Sequence, residues 1–253
     1  MSDLASIDLA PLALLTVCGA LFAGGLVKGA AGFGLPLVAV PLLAFVFPVP
    51  QAIALMMLPI LASNVFILAR SPALKPTVVR LWPLILSLCL GLAISARLLK
   101  VMDPAHLLIG MGVVVLIFVA QSVTHANLRV RARQEPWMAP IMGLISGLIG
   151  GVTGFFSMPA IAYLSALGLG KDGFVTAVCL TLMSGGVTMT VMLNRFGFLT
   201  LYELVLSGIG LVPLLIGIAL GQRLRHRISH ETFNRVVLVL MAVVGLSMIA
   251  RGF

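Results

Sequence analysis

The chain has 253 residues, of which 61% are hydrophobic and 9% charged, with a mean hydropathy of +1.21. A soluble domain carries about 25% charged residues, so this composition excludes a soluble enzyme, a disordered tail and a disulfide-knit secreted module. The net charge of +9 sits in short gaps between apolar runs, as in membrane insertion and unlike a nucleic-acid-binding surface. Cys18, Cys89 and Cys179 lie inside apolar runs at no metal-ligand spacing and read as buried free thiols.

The start, MSDLASIDLAPLALL, has two aspartates and no basic residue, unlike a secretory signal, so the first helix is read as retained. Pro11–Phe47 is apolar throughout and is cut in its middle by Gly29–Gly34. Gln51–Arg70, Val78–Leu99 and Pro104–His125 follow, each close to the roughly 20 residues that cross a hydrocarbon core. Ala126–Pro136, with Arg129, Arg131, Arg133 and Glu135, reads as a basic cytoplasmic linker. The second half repeats this order: Trp137–Leu167, cut by Gly147–Gly154, then Lys171–Asn194, Leu201–Arg223 and Glu231–Ala250. The arms of Trp137–Leu167 are about 15 residues, or ~22 Å, short of the ~30 Å core. Both glycine-cut segments are therefore expected to be helical hairpins with tips inside the membrane. Pro11–Phe47 is the longer and could nearly cross twice.

The expected fold is an all-α integral membrane protein built of two repeats, residues 1–125 and 137–253, joined by the linker 126–136. Each repeat has five helical segments, the first two forming the hairpin, and two tandem copies of an odd unit insert with opposite orientation. The basic residues agree. With the N-terminus outside, Lys28, Arg70, Lys75, Arg80, Arg129, Arg131, Arg133, Lys171, Arg223, Arg225, Arg227 and Arg235 fall inside. Arg97, Lys100, Arg195 and Arg251 fall outside. The repeat is also visible in residues. Gly25–Gly32 matches Gly143–Gly150 without a gap, Pro41 then falls on Pro159, and Gly91–Leu98 matches Gly217–Leu224. Inverted repeats are a transporter signature.

The run Gly-Leu-Val-Lys-Gly-Ala-Ala-Gly-Phe-Gly, followed by Leu-Val-Ala-Val-Pro-Leu-Leu ending at Leu43, resembles the first signature of the TauE/SafE family of sulfite-exporter-like bacterial anion transporters. Gly143–Gly150 with the later Ala166–Leu169 resembles the partner signature. The resemblance implies passage of sulfite, sulfoacetate or another small anion through a bacterial inner membrane. The second tip departs from the pattern with Thr153-Gly154-Phe155-Phe156-Ser157, whose phenylalanines would reshape a pocket.

Candidate substrate-binding residues follow from chemistry that is rare inside a bilayer. Broken helices expose N–H groups and a positive dipole end suited to an oxyanion. This points to Gly29, Gly32, Phe33 and Gly34 at the first tip, and to Ser146, Gly147, Gly150, Gly151, Thr153 and Gly154 at the second. Tight helix packing is the plainer use of the same glycines. Lys28 could attract an anion or snorkel to the headgroups. Ser63 and Asn64 in one span, and Thr181 and Ser184 in another, could bind oxyanion oxygens or join helices. Arg97 and Arg223 read as interfacial anchors, and Pro59, Pro83 and Pro213 as kinks.

No carboxylate falls at mid-span, so an Asp/Glu proton relay is not expected, and potential-driven export of an anion is. No metal, cofactor, catalytic residue or nucleic-acid partner is expected. An intramembrane hydrolase would need a base beside Ser146, and no histidine lies at that depth. An anion channel remains the alternative. The partners are the substrate anion and the bilayer, and the small-residue faces leave room for a homodimer.

Overall fold

The computed structural model describes residues 11–31, 34–124, 133–225 and 230–252. Gly32, Phe33, Asp3, Asp8, Arg227 and most of the linker, including Arg129 and Arg131, lie outside the described residues. Among those described there are eleven helices and no strand. They are α1 (Pro11–Ala31), α2 (Leu35–Leu43), α3 (Val49–Ala69), α4 (Leu74–Ser95), the single turn α5 (Leu98–Val101), α6 (Pro104–Thr124), α7 (Glu135–Thr153), α8 (Met158–Ala166), α9 (Lys171–Arg195), α10 (Leu201–Arg225) and α11 (His230–Arg251). Seven stretches are long and apolar enough to cross a membrane: α1, α3, α4 with α5, α6, α7, α9 and α10.

The two glycine-cut segments are hairpins with unequal arms, which corrects the expectation of similar ones. α1 and α7 have 21 and 19 residues, α2 and α8 only 9 each. Nine residues rise about 13 Å, well short of the ~30 Å of a hydrocarbon core. Gly34, with φ 97°, and Gly154, with φ 78°, make the reversals in the left-handed region that a side chain would strain. Pro36 and Pro159 occupy the second position of α2 and α8, where a missing N–H costs nothing.

The core is built across the two halves. α1 packs along α10, and α4 along α7, more extensively than any other pair, with α3 crossing α9 and α6 lying on α11. Glycines set the close approach. Gly25 faces the Leu214 carbonyl and the Ile218 N–H, and Gly29 faces the Ile218 carbonyl and the Gln222 N–H. In the other pair Gly147 faces the Leu88 carbonyl and the Leu92 N–H, and Gly151 the Leu92 carbonyl and the Ala96 N–H. Residue numbers rise together in both pairs, so each pair is parallel. A Cβ on Gly147 would stand 2.9 Å from the Gly91 Cα, closer than any side chain tolerates. Ser95 reinforces that contact by donating to the Gly147 carbonyl at 3.0 Å.

If the halves are compared as repeats, these contacts set a register one helical turn from the gap-free match. In the register of the second sequence block, Leu214, Ile218 and Gln222 fall on Leu88, Leu92 and Ala96. By packing, then, Gly25 is the counterpart of Gly147 and Gly29 that of Gly151. The gap-free match had set Gly25 on Gly143. Pro36, not Pro41, shares the place of Pro159, and Pro41 lies inside α2. Glycines recurring every four residues satisfy either register in sequence, and only packing separates them.

Polar groups freed inside this apolar bundle find partners. Pro59 removes the N–H that would have bonded the Leu55 carbonyl, and Ser207 of α10 donates to that oxygen at 2.8 Å. Glu203, buried at the start of α10, accepts from the Thr200 N–H at 2.8 Å and from its hydroxyl, a capping arrangement. Arg80 clamps Glu135 through two bonds of 2.6 and 2.8 Å, tying the start of α4 to that of α7.

Candidate functional site

Near its C-terminal end α1 turns Lys28 into the bundle, where the residue keeps 7% of its exposure. Its ammonium donates to Ser63 Oγ at 2.8 Å and to Asn64 Oδ1 at 3.2 Å, both on α3. The two acceptors are held by their own helix. Ser63 Oγ donates to the Pro59 carbonyl at 2.6 Å, and Asn64 Nδ2 to the Ile60 carbonyl at 2.7 Å. Both side chains therefore turn oxygen lone pairs toward the ammonium. Cys179 of α9 lies within electrostatic reach of Lys28. No acidic residue among the described residues pairs with it.

A buried charge is stable only when it is paired or well solvated by hydrogen bonds. Lys28 has three N–H groups, and two go to neutral oxygens. The arrangement leaves one N–H of Lys28 beyond these two bonds. Tertiary folding brings Lys28, Ser63 and Asn64 together although they stand 35 and 36 residues apart in the chain.

The other expected residues do different things. Gly29, Gly147 and Gly151 are helix-packing contacts, and Gly150 lies against the backbone of Phe156. Gly34 and Gly154 make the reversals; Gly34 lies against Val27, the residue before Lys28. Thr181 donates to the Ala177 carbonyl of its own helix at 2.8 Å, and Thr153 to the Ile149 carbonyl at 2.8 Å. Ser184 is half-buried, and its carbonyl accepts from Thr188 at 2.9 Å. Ser146 is fully buried and its hydroxyl has no hydrogen-bond partner. By the packing register it takes the place of Gly24, which lies against Leu35 and Ala39 of α2. Arg97 and Arg223 are exposed at helix ends.

Sequence reasoning missed Cys179: nothing in its apolar run signals that it approaches Lys28. Phe156, one of the phenylalanines expected to reshape the second tip, lies in the other half. Its ring is fully buried against Gly185, while its backbone presses on Gly150, the packing counterpart of Lys28. An apolar cavity of about 360 Å³ lies elsewhere, lined by residues such as Phe22, Leu26, Leu37 and Met241. Its lining is almost wholly apolar.

Comparison with known proteins gives one family match. A family model described as "Sulfite exporter TauE/SafE" matches residues 17–248. No curated protein and no solved structure matches the chain at a significant level.

Proposed function

The chain belongs to the sulfite exporter TauE/SafE family, a multi-pass membrane transporter class for sulfur anions, and on that premise we propose that it exports sulfite or an organosulfonate across a bacterial inner membrane. The observation that carries this reading is Lys28. A lone buried ammonium beside Ser63 and Asn64 is costly in an apolar bundle unless an anion completes it. Substrate binds there, with the Gly34 reversal and the opening turn of α2 folding back beside it.

The two halves are inverted repeats with both termini on the outer side. In a five-segment half, the first and fourth segments point in opposite directions. A direct repeat would set α1 antiparallel to α10, whereas an inverted one sets them parallel. The parallel glycine contacts of α1 with α10 and of α7 with α4 support inversion. The short α2 and α8 support re-entrant hairpins, because about 13 Å does not cross the ~30 Å core.

The driving force is the membrane potential, negative inside, which favours anion exit by about 2.3 kcal/mol per charge per 100 mV. The test is efflux of sulfite from proteoliposomes holding the purified chain under an imposed potential. Efflux should slow to the rate that the concentration gradient alone drives when the potential is collapsed, and Lys28→Met should lower it about a hundredfold, the loss of one charge-assisted contact of ~3 kcal/mol. Efflux that ignores both the potential and Lys28→Met would refute this reading.

A further inference from the structure

Resting on the sulfur-anion reading above, we infer that the transported species carries a single negative charge: hydrogensulfite rather than the sulfite dianion, and a monoanionic sulfonate in preference to a dianionic one. Three observations lead there.

The first is the charge available. Among the described residues the buried polar side chains are neutral apart from Lys28 and Glu203, and Glu203 is engaged at the start of α10 by Thr200. Lys28 therefore offers one positive charge. A monoanion brings the site to neutrality, while a dianion leaves a net negative charge away from water, which is expensive.

The second is the polarity of the groups beside the ammonium. Ser63 and Asn64 spend their hydrogens on the carbonyls of Pro59 and Ile60, so both present oxygen lone pairs. They add no donor for a second anionic charge, and where the ligand carries an O–H, as hydrogensulfite can, they accept it.

The third concerns the other half of the molecule. A two-fold arrangement could have supplied a second cation for a second charge. The packing counterpart of Lys28 is instead Gly150, and the space beside it is taken by Phe156, whose ring reaches Gly185. The scaffold is doubled but the charge is not.

The experiment compares anions of fixed charge in proteoliposomes of the wild-type chain, with the potential clamped at zero so that a dianion gains no extra driving force. Methanesulfonate (one charge), sulfate and sulfoacetate (two), and sulfite (which takes up a proton near neutrality) are measured at pH 6 and pH 8. Methanesulfonate flux should exceed sulfate and sulfoacetate flux about tenfold or more at each pH. Sulfite flux should rise from pH 8 to pH 6 several-fold more than methanesulfonate flux does, the latter reading any titration of the protein itself. Sulfate or sulfoacetate moving as fast as methanesulfonate, or sulfite flux that gains no more than methanesulfonate flux at pH 6, overturns the single-charge inference and leaves sulfur-anion transport standing. Absence of flux for every anion at both pH values overturns the transport reading itself.

Discussion

The two hairpin regions share a scaffold and differ in what fills it. In the first, Lys28 leaves α1 and reaches Ser63 and Asn64 of α3. In the second, Gly150 takes the corresponding place on α7, and Phe156 occupies the space between it and Gly185 of α9. One region holds a buried lysine and the other a fully buried ring. On the proposed function, the first hairpin receives the ligand while the second braces the bundle.

That contrast can be broken from either side. The largest effect on stability is expected from Phe156→Ala. Removing a buried ring costs about 3–5 kcal/mol, read as a lowered unfolding midpoint in detergent, while surviving folded protein keeps its anion affinity. A large affinity loss without destabilisation would move the ligand to the second hairpin. Lys28→Met should do the opposite, abolishing flux at little or no cost in stability, since it removes an unpaired buried charge. Asn64→Asp is a finer probe. It places a carboxylate 3.2 Å from the ammonium in a side chain of the same shape, so the melting temperature should hold or rise while anion flux falls about tenfold. Persistence of flux in that variant would show that the ammonium is not the receptor. The smallest change is expected from Ser146→Ala. Its hydroxyl is buried without a partner, so its loss should leave stability level or raise it by about 1 kcal/mol, with flux unaltered.

Much of the fold was legible because a bilayer asks little of a sequence beyond apolar length. Lys171–Asn194 and Leu201–Arg223, expected as spans, end within two residues of α9 and α10. The hairpin arms were not legible in the same way. Residues 44–47 are as apolar as a helix yet form a turn, because Pro48 and Gly34, not a change of polarity, bound α2. Apolar composition alone does not say where a helix stops when neither side of the boundary meets water. In the site, Lys28 was legible as a charge out of place, and Ser63 and Asn64 as polar residues in mid-span. Their meeting was not, since no local pattern couples residues 35 positions apart. The glycines misled in another way. Gly29, Gly147 and Gly151 serve backbone contact between helices, and a stripe of glycine reads alike whether it faces a ligand or a carbonyl.

The pairing of α1 with α10 also has a bearing on time. Gly25 and Gly29 lie against residues made about 190 positions later, a wait on the order of 10–40 s at 5–20 residues per second of synthesis. Through that interval the first helix presents its glycine face to lipid with nothing to meet it. Neither half can complete its packing alone: α1 waits for α10, and α6 for α11.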